Sequence, residues 1–483
     1  MLLSTTRWWL ATAPALIGVA LLAATSVGAA PTNSIAQATQ APAPCAPPTT
    51  ASILPVTPTT IGTIEQLYDC VFAHYYGGAT LDDRLLLTGA FAGLTQELDR
   101  LGLDQPQATL PALTGNRATD WAAFSAVYKR IETALPERTA LRQALAAATI
   151  DAMLANLTDN HVHWQHLLLP PGYQPGDNYG FGFTTAPIAP LATAAPGEAL
   201  PPLFLSSVTG PAATAGLASG DVIEDVNGAP PFVDGVVSTG VITLLNPSYP
   251  SDTPVVLTVD RPATGRTWNV TLRPARFTPL PLVTSKLAAP GIAEVTMGEF
   301  APGTAGQVLA AIAALRANGP LHGLVLDLRG NGGGSPTEVQ QLISAFVHGR
   351  NWSYDCTATG ACTANHTDDS VPLLHVPLVV LTDRGCVSAC DAFAAAVKDL
   401  HAGVLVGTRT AGVVSGPAQG YQLNDNSLLV LPAKHELGPD HEVINGIGVA
   451  PDYYLPTTAA DHSTGPDPDL SKARTLLDSQ QPR

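Results

Sequence analysis

The sequence predicts an α/β protein in three parts: a helical N-terminal region, a strand-rich middle and an α/β core toward the C-terminus. Three patterns predict it. Apolar residues recur at helical spacing between Ile61 and Leu157. Short apolar runs broken by Gly, Pro and Asn turns fill the stretch from Tyr179 to Arg276. From Ile292 onward, apolar strands alternate with amphipathic helices, the pattern of a sheet covered by helices. The chain has 483 residues, room for about three domains. It is 46% hydrophobic, 13% charged and carries a formal charge of -16. That balance excludes a nucleic-acid partner, because phosphate binding wants clustered Lys and Arg.

The elements follow in order. Residues 1–30 read as a secretory signal peptide: Arg7 supplies a positive start, residues 8–27 are almost uninterruptedly apolar, and Val27-Gly28-Ala29-Ala30 offers small residues for cleavage. This predicts a secreted, periplasmic or cell-envelope protein, with membrane contact only if the segment stays uncleaved as an anchor. Residues 31–58, rich in Pro, Thr, Ala and Gln, read as a flexible linker. Residues 59–168 form the helical domain, with apolar stripes through Ile64, Leu67, Val71, Leu87, Phe91, Leu94 and Leu98. A second helical run follows Asp120, a candidate N-cap. Asp159-Asn160-His161-Val162-His163-Trp164 then alternates like a short strand. Residues 177–277 carry the strands of the middle domain and residues 280–458 those of the core. The polar stretch 459–483 reads as a flexible tail.

Six cysteines, an even number, suit an oxidising compartment. Cys356 and Cys362 flank a short turn, Cys386 and Cys390 bracket Ser388, and Cys45 and Cys70 remain as a possible pair; spacing alone leaves the connectivity open. Cys-x-x-Cys is absent and the histidines are not at ligand spacing, so no metal and no cofactor are expected.

The chemistry concentrates at Gly385-Cys386-Val387-Ser388-Ala389-Cys390-Asp391, between the apolar run 376–381 and the Ala-rich run 392–400. A serine at such a strand-to-helix turn can expose its hydroxyl beside the free N–H groups of a helix N-terminus, which suit a developing oxyanion. It can equally be an ordinary helix cap. Taken alone, this segment leaves both readings open.

Three further segments bear on the choice. Leu326-Asp327-Leu328-Arg329-Gly330-Asn331-Gly332-Gly333-Gly334, the Ser388 turn, Leu405-Val406-Gly407-Thr408-Arg409-Thr410 and Gly446-Ile447-Gly448-Val449-Ala450-Pro451-Asp452 together resemble, in order and spacing, the C-terminal processing protease and tricorn protease family of serine peptidases. Gly210-Pro211-Ala212-Ala213-Thr214-Ala215-Gly216-Leu217 with Gly220-Asp221-Val222-Ile223 resembles a PDZ domain of these proteases. The resemblance implies a PDZ-like domain over 177–277 and a crotonase-like, ClpP-like core.

It also implies roles. Ser388 would be the nucleophile, and the N–H of Ala389 with that of Gly332 or Gly333 would form the oxyanion hole. Tyr179, Gly180, Phe181, Gly182 and Phe183 would form the loop that binds a peptide carboxylate. The processing branch draws its base from a lysine, but that position is Val413 here, and neither Lys398 nor Lys434 matches the motif. The tricorn-like branch uses a histidine before the PDZ domain, and His161 stands there, favoured over His163. Imidazole titrates near neutral pH and suits the task. That branch also orients its histidine with a hydroxyl and adds a glutamate; Asn160 occupies the first place and Glu442 is the nearest acid for the second, with Glu436 behind it. Asp399 matches an acidic position read as structural support. The expected function is a secreted serine endopeptidase acting on polypeptides through their C-termini. The alternative is a catalytically inactive PDZ-containing protein that binds peptides.

Overall fold

The computed structural model describes residues 45–48, 54–157, 159–174, 176–186, 202–463 and 465–479. The signal segment at 1–30 and most of the linker at 31–58 lie outside them. Among the described residues, no helix is long and apolar enough to cross a membrane.

The C-terminal half is built on a six-stranded sheet in the order Val283–Ala289, Ile292–Met297, Gly323–Asp327, Leu378–Thr382, Val404–Gly407, Tyr453–Tyr454. The first two strands form an antiparallel hairpin and every later pair is parallel. Parallel strands joined by helices need both faces covered, and alternate residues serve alternate faces. Leu324, Leu326, Val380 and Leu405 share one buried cluster with the helices Thr304–Arg316, Pro336–Ser344 and Ala389–Asp399. Val325, Val379, Leu381 and Val406 share the other with Ala473 and Leu477 of the helix Pro468–Ser479. This is why Gly323–Asp327 and Leu378–Thr382 are buried at every position and read as unbroken apolar runs.

The helix Pro468–Ser479 corrects the flexible tail expected at 459–483. Its polarity belongs to its outer side, while Ala473 and Leu477 close the second face of the sheet. Arg329, next to the glycine loop, holds the start of this helix: its guanidinium reaches Asp327 and Asp467 at 2.6 Å and Asp469 at 3.2 Å.

The middle of the chain forms an antiparallel five-stranded sheet, ordered Phe183–Ala186, Phe204–Val208, Val222–Val226, Val255–Arg261, Arg266–Leu272. Asp221, fully buried, is paired with Arg261 at 2.6 Å.

Four helices, Ile61–His74, Asp83–Arg100, Arg117–Ala134 and Thr139–Ala155, make the N-terminal region. Asp83–Arg100 lies directly on Thr139–Ala155, where Gly93 leaves no room for a Cβ beside the Ala148 carbonyl and the Ala152 methyl. The third helix starts earlier than expected: Asn116 is its N-cap, accepting from the Thr119 N–H at 3.1 Å. Asp120 is buried instead and accepts the N–H groups of Thr114 and Gly115, which fixes the preceding loop.

These helices do not form a separate core. Their buried cluster includes Tyr421, Leu423, Leu429 and Leu431 from the hairpin Ala418–Gln422/Leu428–Pro432. The strand His163–Gln165 pairs with that hairpin, His163 opposite Val430. Part of the expected linker is tied down at the same place: Ala46 bridges Gln422, the Thr57 N–H donates to the Asp425 carbonyl, and Cys45 is bonded to Cys70. The other disulfides are Cys356–Cys362 and Cys386–Cys390.

Candidate active site

Ser388 sits between the strand Leu378–Thr382 and the helix Ala389–Asp399, at φ 60° and ψ -116°. A serine holds such a backbone only where its surroundings over-determine it. The surroundings here are specific. The Cys386–Cys390 disulfide spans the turn. Asp391, fully buried, accepts the Ser388 N–H at 2.9 Å and, from across the site, the N–H groups of Gly412 at 2.8 Å and Val413 at 3.1 Å. Burial pushes the Asp391 carboxyl up to about 6, against the pull of those donors. Gly333 leans on the turn from the glycine loop; a Cβ there would come within 2.5 Å of the Val387 carbonyl and 2.7 Å of the Ser388 Cβ.

His161 reaches this serine from 227 positions away, with Nε2 3.0 Å from Oγ. The pairing of His163–Gln165 with the Leu428–Pro432 strand carries it there. Its other ring nitrogen, Nδ1, lies 2.9 Å from Asn160 Oδ1. Asn160 Nδ2 in turn donates to Asn445 Oδ1 at 2.8 Å. Burial, and then His163, push the His161 imidazole down to about 4, so it is neutral at pH 7 with a lone pair available. His163 points elsewhere, its Nδ1 2.9 Å from the His161 carbonyl.

The acid expected to complete the site does not reach it. Glu442 accepts the Asp440 N–H at 2.9 Å and makes no hydrogen bond to His161, Asn160 or Ser388. Burial, with Asp399 beside it, pushes Glu442 up to about 7. The position next to Asn160 belongs to Asn445, a residue that a search for a carboxylate passes over three places beyond Glu442. Glu436 is opposite Asp355 on a neighbouring sheet, and burial pushes it up to about 8. Lys398 donates to the Ala450 carbonyl at 2.7 Å, and Val413 offers the site only its backbone N–H.

Of the expected oxyanion donors, Ala389 is the first residue of its helix, so its N–H has no intrahelical acceptor. The glycine N–H groups are engaged: Gly333 donates to Asn331 Oδ1 at 2.9 Å and Gly332 to the Gly298 carbonyl at 3.3 Å.

The expected carboxylate loop lies at the edge of the middle sheet. Tyr179 and Gly180 end the short strand Asn178–Gly180, Phe181 is in the core at 2% exposure, Gly182 turns at φ 81°, and Phe183 opens the edge strand Phe183–Ala186.

Comparison with known proteins matches residues 291–455 to Peptidase family S41. The chain is 32% identical over 258 residues to the chloroplastic C-terminal processing peptidase of Tetradesmus obliquus, covering 51% of this chain and 54% of that protein. It is 29% identical over 299 residues to the chloroplastic carboxyl-terminal-processing peptidase 2 of Arabidopsis thaliana, covering 58% and 53%. The chain thus spans about half the length of these curated relatives. The crystal structure of mature CPAF superposes with a TM-score of 0.50 at 14% identity, over 86% of this chain and 95% of that one, a likeness of fold. Residues 291–455 thus match peptidase family S41, and the chain is similar to C-terminal processing peptidases over about half of their length.

Proposed function

We propose that the chain is a serine endopeptidase that hydrolyses polypeptides through an acyl-enzyme on Ser388, with His161 as general base. The observation that carries this reading is the 3.0 Å contact between His161 Nε2 and Ser388 Oγ, made across 227 residues of chain. A serine hydroxyl becomes a competent nucleophile when a positioned base takes its proton. His161 would accept the Oγ proton as Oγ attacks the scissile carbonyl, then return it to the leaving amine; water would repeat the sequence to release the acid. The negative oxygen would lie against the Ala389 N–H and the glycine loop. The long Gly332 bond to Gly298 is the one to exchange for substrate.

The rest of the reading follows the sequence. The PDZ-like domain over 177–277 would hold a substrate C-terminus on the edge strand Phe183–Ala186 by strand addition. The names of the relatives, C-terminal processing peptidases, support substrates of that kind. Three disulfides support an oxidising, extracytoplasmic setting. Val413 at the lysine position favours one second reading, a silent peptide-binding protein on the same fold.

A fluorophosphonate probe separates the two. It should label the wild type and not Ser388→Ala, and His161→Ala should lower turnover of an unstructured polypeptide by roughly 10⁴-fold. An unlabelled wild type with no turnover leaves the binding protein as the reading.

A further inference from the structure

We infer that Asn445, acting through Asn160, is a positioning residue that sets the tautomer of His161, so that two neutral amides and a backbone N–H orient the base. The inference rests on the reading of Ser388 and His161 as nucleophile and base. Its starting point is the Val414 N–H, a group that can only donate, 3.2 Å from Asn445 Oδ1. That contact makes the facing atom of Asn445 the oxygen. The same oxygen lies 2.8 Å from Asn160, so the Asn160 atom facing it is the amide nitrogen. The Gly412 carbonyl, at 3.5 Å from the same nitrogen, agrees. The Asn160 oxygen is then the atom that faces His161 Nδ1, at 2.9 Å. An oxygen there requires a proton on Nδ1, which leaves the Nε2 lone pair directed at Ser388 Oγ. Polarity thus runs in one direction from a backbone amide to the nucleophile.

The source of that polarity is the turn at Val413, where the related processing proteases are expected to carry their lysine. In place of a side-chain base, this turn supplies three successive N–H groups. Those of Gly412 and Val413 go to Asp391 and so to the Ser388 turn, and that of Val414 goes to Asn445 and so to His161. One turn registers nucleophile and base against each other.

The remaining titratable groups around His161 do not supply a carboxylate to the ring. Asp159 accepts the His161 backbone N–H at 2.9 Å and the Tyr75 hydroxyl, and burial raises its own pKa. His163 holds the His161 carbonyl, and Asp391 is spent on backbone donors.

The test uses the full chain and two readouts. In ¹⁵N-histidine spectra the wild type should show His161 as the Nδ1–H tautomer. Asn445→Leu, which keeps the branched heavy-atom skeleton and removes the acceptor, should lose that tautomer and lower kcat roughly 100-fold with KM little changed. Asn445→Asp keeps the acceptor and should restore kcat to within several-fold. Asn160→Asp places a carboxylate on Nδ1 and should move the acid limb of kcat/KM upward by about 1–3 pH units. A folded Asn445→Leu with wild-type tautomer, kcat and pH profile overturns the inference, as does an Asn160→Asp profile that stays in place. If His161→Ala itself keeps wild-type turnover, the base assignment fails first and takes this inference with it. If His161→Ala is inactive while the amide variants change nothing, the inference alone fails.

Discussion

Ser388 and Asp391 divide one task between a strained backbone and a buried carboxylate. Asp391 satisfies three backbone N–H groups from two segments, and removing it leaves them without an acceptor in a buried place. Each unsatisfied buried donor costs about 1–3 kcal/mol. Asp391→Ala should therefore destabilise the fold by about 3 kcal/mol and slow fluorophosphonate labelling at least tenfold, read from urea midpoints and labelling rates. A loss under about 0.5 kcal/mol with unchanged labelling would sink this role. Much of this was legible in the residues. The serine turn alone reads equally as a helix cap, so Ser388 and His161 stand out once the family resemblance is drawn. Asn445 does not, because an uncharged amide carries no pattern that separates it from a turn residue, and its partner Asn160 lies 285 positions away. Glu442 was the more visible candidate because carboxylates are what one looks for beside a histidine.

Among elements, the helices of the N-terminal region were readable from period alone, since each buries one stripe. Their ends were less so. Asp120 resembles a cap in sequence, yet Asn116 caps the helix, because Asp120 is drawn inward by two loop N–H groups. The C-terminal helix was hidden by polarity on its outer side. The packing of Asp83–Arg100 on Thr139–Ala155 makes a sharp test of element contact. Helix propensity alone says that Gly93→Ala stabilises by about 1 kcal/mol. The new methyl would instead overlap the Ala148 carbonyl and the Ala152 methyl, and overpacking of this kind costs about 1–3 kcal/mol. A lowered melting temperature is the expected result; a raised one would mean that the two helices separate easily.

On the scale of the whole molecule, the buried carboxyls govern how stability follows pH. Burial pushes Glu436 up to about 8, and Glu442 and Asp469 up to about 7. In the unfolded chain all three are ionised above pH 6, so between pH 6.5 and 8 the native state binds more protons and stability falls as pH rises. His161, His163 and His462, all pushed down by burial, work in the opposite direction, most strongly below their ordinary value near 6.5. Above about pH 7 that opposition fades as the unfolded histidines also lose their protons, and the carboxyls dominate. The melting temperature should drop from pH 6.5 to 8, and Glu436→Gln should make the drop shallower. A melting temperature that climbs across that interval contradicts the assignment. The three-part organisation was visible in the sequence as three successive patterns of apolar residues. What it could not display is that the first and last parts share a core, because strand pairing between residues 163 and 430 leaves no local trace.

That pairing also sets when His161 can meet Ser388. The His163–Gln165 strand cannot dock until the chain has been made through the Leu428–Pro432 strand, and contacts so distant in sequence form late. A growing or half-folded chain therefore carries Ser388 without His161 beside it. On the proposed reading of His161 as the base, the pair would be complete only once that long-range contact has closed.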